Sequence, residues 1–180
     1  LDGTTNFVHG YPSFAVSIGG FHKSKPLVGI VLELPAKRLF SALKGQGATC
    51  DGSPINVSNV SSLIDSLLVT GFGYDHNDKW KTNMRLFQIL TDKTQGVRRL
   101  GAASVDLCHV AMGMVDGFWE FDLHPWDTAA GMLILTEAGG TVTQMDGKPF
   151  SNYDDNILAT NGALHPDLEA YTSQELGTLN

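Results

Sequence analysis

The first residues of the chain place a carboxylate, a glycine and two hydroxyls side by side, as Asp2, Gly3, Thr4 and Thr5. We expect a strand end here that leads into a helix, whose free N–H groups can hold a phosphate while Gly3 lets the backbone approach it closely. Two unit charges 4 Å apart repel by about 4 kcal/mol near a protein surface, so Asp2 beside a phosphate requires a cation such as Mg²⁺. An ordinary capped turn is the alternative for Asp-Gly-Thr.

A second segment with a carboxylate in a special position lies far along the chain. Residues 124–131 read His-Pro-Trp-Asp-Thr-Ala-Ala-Gly. Pro125 predicts the first turn of a helix, and Gly139 predicts its end. Asp127 then lies in that first turn, where the helix dipole favours a carboxylate by about 0.3–1 kcal/mol. Glu137 lies near the other end, where the dipole disfavours it, and we expect it to make a local hydrogen bond.

The elements that must position these residues are predicted in two parts. Hairpin-type signals in the first part predict strands over 14–19, 27–34 and 38–43, with turns at 45–47 and 51–52. From residue 66 onward, strands alternate with helices. The later strands are predicted at 66–72, 97–100, 118–123, 142 and 157–159, and the helices at 80–90, 103–114, from Pro125 and from His165. We therefore expect an α+β unit over 1–62 and an α/β unit over 63–180, with a boundary near 60–66.

Composition excludes several classes of protein. The chain has 180 residues, 42% of them hydrophobic and 17% charged, which argues against disorder. The net charge is −7 and the longest basic run is Arg98-Arg99, so we expect no nucleic-acid partner. The apolar runs are far shorter than the ~20 residues that span a bilayer, so we expect no membrane segment. Cys50 and Cys108 are predicted to be two buried free thiols.

Several other side chains that could do chemistry receive structural interpretations. His109 lies on an apolar helix face and is predicted to be a core histidine. Trp119 and Trp126 are predicted to pack rather than to stack on a cofactor. The glycine-rich segment 44–49 precedes no predicted helix and is interpreted as a hairpin turn. Helical spacing places Trp80, Met84 and Phe87 of the 80–90 helix on one face, with Leu90 at its edge.

Taken together, the two acidic segments resemble the signatures of the inositol monophosphatase family. Residues 1–7, Leu-Asp-Gly-Thr-Thr-Asn-Phe, resemble its first signature, Asp-Pro-Leu-Asp-Gly-Thr-x-Asn-Phe, without the leading Asp-Pro. Residues 126–140 resemble the second signature, and the intervening 98–104 and 116–120 also resemble family segments in the expected order. The two aspartates, Asp2 and Asp127, are 125 residues apart. The resemblance covers essentially the whole chain.

The resemblance implies both a fold and an activity. The fold would be the layered αβαβα sandwich of the inositol monophosphatase and fructose-1,6-bisphosphatase type. The activity would be Mg²⁺-dependent hydrolysis of a phosphate monoester, by enzymes that are often homodimeric and lithium-sensitive. myo-Inositol monophosphate is the expected substrate, with histidinol phosphate or a sugar bisphosphate as alternatives. The implied compartment is the cytoplasm or an organelle stroma.

The resemblance also assigns metal ligands by position. Asp2 and the main-chain carbonyl of Leu1 would bind Mg²⁺, and Asp127 would complete a second metal site near the leaving oxygen. Thr4 would orient the nucleophilic water. The complete protein would hold two or three Mg²⁺ ions, which would neutralise phosphoryl oxygens and lower the pKa of bound water.

Substrate contacts follow from the same resemblance. The N–H groups of Gly3 and Thr4 would hold the phosphate, while Asp127 would lie beside the leaving oxygen. Ala103 and Glu120 would contact substrate hydroxyls. A single carboxylate at such a position favours a neutral polyol over an anionic second phosphate.

The chain departs from the family pattern at two places. The other metal-binding Asp of the family would lie two residues before Leu1, and a metal-binding Glu further upstream. We therefore expect a family member that lacks roughly its first third, and we expect the 180-residue chain alone to be inactive. Ala102 stands where the family usually has a hydroxyl, and the nearest hydroxyl is that of Ser104.

Two alternatives stay open. Residues 1–4 also resemble the tail of the Asp-x-Asp-Gly-Thr motif of haloacid-dehalogenase-type phosphatases, in which a preceding Asp is a covalent nucleophile. That family offers no account of residues 126–131. The other alternative is a non-catalytic, complex-forming relative of the same fold. Asp-Pro directly before Leu1 would favour the inositol monophosphatase family over the haloacid-dehalogenase-type phosphatases. A Glu-Glu pair further upstream would indicate an enzyme rather than a non-catalytic relative.

Overall fold

The hairpin-rich part of the chain forms the first of two sheets. In the computed structural model, which describes residues 1–179, five antiparallel strands follow one another in chain order. They are β1 (Ala15–His22), β2 (Lys25–Glu33), β3 (Arg38–Leu43), β4 (Ala48–Cys50) and β5 (Ser53–Pro54). The predicted hairpin turn is confirmed, because Asp51 and Gly52 join β4 to β5 with φ values of 50° and 78°. Positive φ at both positions matches the twist of a two-residue hairpin.

The second sheet is mixed and comes from the part of the chain where strands and helices alternate. Its strand order is β7-β6-β8-β10-β9. The strands are β6 (Leu67–Thr70), β7 (Gly96–Arg98), β8 (Gly117–Phe121), β9 (Thr141–Thr143) and β10 (Asn156–Thr160). β6 runs parallel to β7 and β8, whereas β10 is antiparallel to β8 and β9. All five strands lie at or near the positions that the sequence predicts.

Five α-helices and one short 3₁₀ helix, Leu63–Asp65, complete the described residues. The α-helices are α1 (Thr4–His9), α2 (Asp78–Lys93), α3 (Ala103–Ala111), α4 (Pro125–Glu137) and α5 (His165–Leu176). α3 and α4 pack against each other between the sheets: α4 contacts β1 and β2, and α3 contacts β6, β8 and β10. α2 and α5 pack against each other and against the second sheet. Among residues 1–179, no helix combines the length and apolar content that crossing a membrane requires.

Two hydrophobic clusters cover opposite faces of the second sheet. Val69 and Phe118 belong to the cluster around α3 and α4, and their neighbours Leu68 and Trp119 belong to the cluster around α2 and α5. Successive strand residues point to opposite faces, so the layers are first sheet, α3–α4, second sheet and α2–α5. This is the layered α+β architecture that the sequence predicts, and it supplies four layers of the αβαβα order. The division at 62/63 stays a prediction.

Small residues bring α4 close to the first sheet. A Cβ added to Gly29 would lie 2.6 Å from the carbonyl oxygen of Ala130, and one added to Gly19 would lie 2.7 Å from the Cβ of Ala129. Real Cβ atoms do not approach so closely, so glycines on the sheet and alanines on the helix set the spacing of these layers. The close packing fixes the start of α4, which carries Asp127.

The buried face of α2 differs from the predicted one. Met84 is 40% exposed, and the buried positions are Thr82, Asn83, Leu86 and Leu90. The prediction was wrong for Met84 but not for Phe87, which packs against the cluster around α2 and α5. It missed Thr82 and Asn83 because it counted apolar residues only. Asn83 is buried because its amide donates to the carbonyl of Gly71 at 2.6 Å and its Oδ1 accepts from the indole of Trp119 at 2.5 Å.

Three smaller predictions have mixed outcomes in the structure. Cys50 and Cys108 are free, as predicted, although only Cys108 is buried. The packing role of Trp119 is confirmed, but that of Trp126 is wrong, since its side chain is 67% exposed. Glu137 makes hydrogen bonds, yet they are not local: its carboxylate accepts from the backbone N–H groups of the turn between β3 and β4, at 2.8 and 2.9 Å.

Candidate active site

The two acidic segments line one cavity. Its volume is about 690 Å³, within the usual range for small-molecule sites. The walls come from the start of the chain, the loop after β6, the loop before α3, the end of β8, the start of α4 and the loop before β10. Every site residue that the sequence indicates lies on this wall: Leu1, Asp2, Gly3, Thr4, Ala103, Glu120 and Asp127.

The first segment has the predicted local geometry. The backbone of Asp2 pairs with that of Ala15 through two hydrogen bonds of 2.8 and 3.0 Å, which extends the first sheet to the cavity. Gly3 then adopts a φ of 76°, and a Cβ there would lie 2.7 Å from the carbonyl oxygen of Ser13. Only glycine suits that position. α1 begins at Thr4, so the chain passes from an isolated bridge at Asp2 directly into a helix, which is close to the predicted strand end.

The carboxylate of Asp2 is held by the start of α3. Its Oδ2 accepts hydrogen bonds from the backbone N–H of Ser104 at 2.8 Å and from the Ser104 hydroxyl at 2.7 Å. A negative charge at a helix N-terminus is also favoured by the helix dipole. Ser104 therefore orients Asp2, a role that sequence reasoning missed. The available signal was the displaced hydroxyl after Ala102.

Asn6 ties the first segment to the same loop. Its side chain is buried, and its amide donates to the carbonyl oxygens of Ser13 and Leu100 at 2.7 Å each. Buried amides must find such partners, because an unpaired one costs about 1–3 kcal/mol. Asn6 thus fixes α1 relative to the loop that leads into α3. The sequence shows Asn6 only as part of a motif and gives no sign of this tie.

Asp127 lies where the second segment was predicted to present it. It occupies the first turn of α4, and its Oδ2 accepts from the backbone N–H of His124 at 2.9 Å. Its side chain is only 18% exposed. Burial raises the pKa of Asp127, the hydrogen bond from His124 lowers it, and the charge of Asp2 raises it again. The carboxylate therefore caps its own helix and also lines the cavity beside a like charge.

Glu120 is the most perturbed carboxyl of the cavity wall. It lies near the end of β8, 9% exposed, against Gly71, where a Cβ would overlap its carboxylate. Burial, followed by the charges of Asp2 and Asp127, raises the pKa of Glu120 to about 8, and Arg99 only partly offsets this. The free side chain is therefore largely protonated at pH 7, when it can donate as well as accept a hydrogen bond.

A further carboxyl lies behind the cavity without any partner. Asp106 in α3 is fully buried, and neither of its oxygens makes a hydrogen bond within the described part of the chain. Burial raises its pKa well above the usual value, and the charges of Glu120 and Asp2 add to this. A buried ionised carboxylate without a partner is very costly, so the neutral form is the stable one here.

The donor set fits part of a magnesium site. Asp2, Asp127 and the carbonyl of Leu1 are hard oxygen donors on one cavity wall, which is the ligand chemistry that Mg²⁺ prefers. Burial, and after it the charge of Asp2, raises the pKa of Asp127, and a cation beside the two carboxylates would offset the second of these effects. Within residues 1–179, however, no three His, Cys, Asp or Glu side chains come close enough together to hold a metal by themselves.

Comparison with known proteins agrees with this geometry. The profile of the inositol monophosphatase family matches residues 1–176. The chain is 54% identical over 174 residues to Phosphatase IMPL1, chloroplastic, of Arabidopsis thaliana, covering 93% of this chain and 47% of that protein. It is 46% identical over 149 residues to Nus factor SuhB of Pseudomonas aeruginosa, covering 82% of this chain and 55% of that protein.

A solved structure shows the same fold at similar identity. The inositol monophosphatase from Anabaena (Nostoc) sp. PCC 7120 superimposes with a TM-score of 0.93 at 47% identity, over 96% of this chain and 69% of that one. The chain spans about half the length of the two curated relatives. The match to the family profile, the shared fold and the paired acidic segments agree, and the chain belongs to the inositol monophosphatase family.

Proposed function

We propose that this chain carries the phosphate- and leaving-group-binding part of a Mg²⁺-dependent phosphomonoesterase whose substrate is myo-inositol monophosphate. One observation carries the proposal. Asp2 and Asp127, 125 residues apart in the sequence, line the same cavity as Thr4 and Glu120. Water would break the P–O bond of the ester, and the departing alkoxide would take up a proton to give inositol and phosphate.

The residues divide this work by position. The N–H groups of Gly3 and Thr4 bind the phosphate, and the Thr4 hydroxyl orients the attacking water. Asp127 faces the leaving oxygen. When bound, Mg²⁺ supplies positive charge at the phosphoryl oxygens and lowers the pKa of bound water. Some of the ligands of this Mg²⁺ would come from Leu1, Asp2 and Asp127, and the other ligands from residues outside this chain.

Substrate selection falls to the other wall of the cavity. Ala103 is the first residue of α3, and its small side chain leaves room for the substrate. The Glu120 carboxyl faces the substrate hydroxyls. A largely protonated Glu120 can accept a hydrogen bond from one substrate hydroxyl and donate one to another, which suits a neutral polyol. It offers no positive charge to a second phosphate, so the geometry favours inositol monophosphate over a sugar bisphosphate.

The test is a phosphate-release panel on the full-length protein. It compares myo-inositol 1-phosphate, histidinol phosphate and fructose 1,6-bisphosphate, with Mg²⁺, with a chelator and with added Li⁺. We expect the highest kcat/KM on inositol 1-phosphate, loss of turnover with the chelator and inhibition by Li⁺. Equal turnover with the chelator would refute the Mg²⁺ requirement, and a preference for another ester would refute the substrate. We expect the 180-residue chain alone to be inactive.

A non-catalytic role is the second candidate. It is favoured by the SuhB relative, whose name is that of a Nus factor, and by the incomplete metal site within residues 1–179. A full-length protein that binds Mg²⁺ weakly and hydrolyses none of the panel would support it.

The proposal of a phosphomonoesterase also includes homodimer formation and a cytoplasmic or stromal location. The location is in keeping with the chloroplastic relative. Analytical sedimentation of the full-length protein tests for the dimer, and a fluorescent fusion tests the location.

A further inference from the structure

Lys79, in the first turn of α2, joins two segments of the cavity wall. Its ammonium group contacts the carboxylate of Asp122 at 2.7 Å and that of Asp155 at 2.8 Å. Asp122 directly follows β8, and Asp155 directly precedes β10. Within residues 1–179, the cavity wall includes both aspartates but not Lys79. The lysine therefore holds two carboxylates of the wall together without being part of the wall itself.

The two aspartates close the ladder between β8 and β10. The last regular pair of that ladder contains Phe121, and beyond it the backbone N–H of Asp122 donates to the carbonyl oxygen of Asp155 at 2.8 Å. Glu120, which contacts the substrate hydroxyls in the proposed function, lies in the pair before Phe121. Lys79 thus clamps the end of the ladder close to Glu120.

The backbone at Asp122 needs support of this kind. Its φ is 59°, which is in the left-handed region that Asp tolerates better than most residues but that still costs free energy. A residue keeps such a conformation only where its surroundings hold it. The backbone bond to Asp155 and the ion pair with Lys79 supply that support, so the end of β8 can relax when the ion pair is lost.

The acidic surroundings strengthen the need for a cation. Asp75 and Asp154 line the same cavity as Asp122 and Asp155. Burial lowers the pKa of Lys79, but the hydrogen bonds to its two aspartates raise it more, so the pKa is raised overall. The hydrogen bond from Lys79 lowers the pKa of Asp155. Without the ammonium group the neighbouring carboxylates would repel one another, which would separate the two strand ends.

The carboxyl of Glu120 is supported by the same helix from another direction. It lies against Gly71, where a Cβ would overlap it, and the carbonyl oxygen of Gly71 accepts a hydrogen bond from the amide of Asn83 at 2.6 Å. Asn83 lies about one turn of α2 beyond Lys79. α2 therefore supports Glu120 twice, once through the backbone that its carboxyl touches and once at the end of its strand.

We propose that Lys79 is a positioning residue that fixes the carboxyl of Glu120 for recognition of the substrate hydroxyls. This rests on the proposed function, in which Glu120 contacts those hydroxyls. Lys79 acts through Asp122 and Asp155 and touches no reacting atom. Its loss therefore weakens binding of the polyol and spares the hydrolysis of an ester that has no such hydroxyls.

The experiment replaces Lys79 in the full-length protein and measures binding and turnover separately. Lys79→Met keeps the aliphatic chain and removes the charge. Lys81→Met is the matched control, because Lys81 forms an exposed ion pair with Asp78 at 2.8 Å in the same helix. KM and kcat are measured on myo-inositol 1-phosphate and on 4-nitrophenyl phosphate. The affinity for myo-inositol, which has the hydroxyls but no phosphate, is measured by NMR titration.

The expected result is selective for the polyol. Lys79→Met should raise KM for inositol phosphate and weaken inositol binding by about threefold to tenfold, with kcat and the values for 4-nitrophenyl phosphate unchanged. Lys79→Arg should restore most of the affinity, because a guanidinium group can also bridge two carboxylates. Lys81→Met should behave like the wild type. Equal losses on both esters, or no loss in Lys79→Met, would overturn the proposal.

A second variant and the inositol titration separate this proposal from the proposed function. Asp122→Asn removes one charge of the clamp, while Asn still adopts the left-handed backbone, and it should show the same selective loss. A wild-type protein that hydrolyses no ester loses the proposed function, and the inositol titration then decides the role of Lys79. A protein that hydrolyses inositol phosphate equally well without the Lys79 charge keeps its proposed function and loses the positioning residue. A wild-type protein that neither hydrolyses an ester nor binds inositol would overturn both.

Discussion

The two sheets of the molecule have very different surroundings. Every residue of β8 and of β10 is buried, because helices cover both faces of the second sheet. Among residues 1–179, the first sheet is covered only on its face toward α4. On the opposite face, Val16 pairs with Leu32 and Ile18 with Ile30, and Val16 and Ile18 expose 39% and 56% of their surface.

This difference extends to the candidate cavity, which is lined both by Asp2, paired with the first sheet, and by Glu120 of the second sheet. The first sheet contributes the backbone that positions Asp2, through its pairing with Ala15. The second sheet contributes Glu120, whose burial raises its pKa to about 8. Backbone pairing therefore fixes the position of Asp2 on one side of the cavity, and burial sets the pKa of Glu120 on the other side. A site assembled in this way requires both sheets to keep their relative position, which α3 and α4 maintain between them.

The largest expected effect is on the free energy of unfolding and separates the sheets directly. Ile157→Ala removes a side chain that is 1% exposed in the second sheet, and Ile18→Ala removes the same atoms from the uncovered face of the first sheet. We expect a loss of about 2–5 kcal/mol for the first and less than about 1 kcal/mol for the second. Urea unfolding of this chain measures both. Similar losses would show that the uncovered face is buried in solution.

Glu120→Gln in the full-length protein tests the side of the cavity that burial tunes. At pH 7 the amide of Gln can replace most of the hydrogen bonds of the protonated Glu120, whereas above pH 8 it replaces a carboxylate, and the loss of that charged acceptor costs about 1.5–3 kcal/mol in binding, which is about a tenfold to 150-fold rise in KM. Because the pKa is about 8, the ionised form dominates above that pH. The rise in KM for inositol phosphate should therefore be larger at pH 9 than at pH 7. A small artificial phosphomonoester is the control, and an equal loss on it would indicate a structural role.

Asp106→Asn tests the electrostatic strain behind the cavity. Asp106 has a pKa raised by burial, so its contribution to stability is complete below the unfolded-state value near 3.8 and is lost as pH rises through the folded-state value. Replacing it should stabilise this chain by about 1–3 kcal/mol at pH 7, with the gain disappearing toward pH 4. Unfolding curves at both pH values measure this, with the exposed Asp92→Asn as the control. A destabilised Asp106→Asn variant at pH 7 would contradict the account.

The smallest expected effect concerns the contact that orients Asp2. Ser104→Ala removes the hydroxyl donor but leaves the backbone N–H in place. We expect a loss of about 0.5–1.5 kcal/mol in unfolding free energy, against no change for Ser53→Ala in the exposed hairpin. Chemical denaturation resolves the two. No difference between them would mean that the Ser104 hydroxyl is dispensable for holding Asp2.

Apart from the short β4 and β5, the strands of both sheets could be predicted from sequence because their signals are local. Alternation, turn glycines and Pro125 at the start of α4 depend only on neighbouring residues. The contacts that sequence reasoning missed join residues far apart. Ser104 reaches Asp2, and Glu137 binds a turn about 90 residues away in the chain. Such pairs leave no periodic pattern, so the resemblance supplied the site residues but not the side chains that hold them.

The predictions of a packed Trp126 and of the buried face of α2, which includes Asn83, were wrong for a related reason. Hydrophobicity predicts burial only on average, and it ignores what a particular environment supplies. Asn83 is buried because Trp119 and the Gly71 carbonyl satisfy its amide. Trp126 is exposed because α4 begins at the edge of the cavity. Both exceptions lie at or near the candidate site, where function competes with packing.

The central claim is that the two acidic segments form one active site, and a double-mutant cycle on turnover tests it most directly. Asp2→Asn, Asp127→Asn and the double variant are compared in the full-length protein with Mg²⁺, together with their melting temperatures. Each single change should lower kcat by about 10²–10³ with little change in melting temperature, because Asn still accepts the hydrogen bonds from Ser104 and His124. The double variant should lose little more than either single variant, since residues that act as a unit are not additive. Retained turnover in either single variant, or losses that multiply as for independent sites, would contradict the claim.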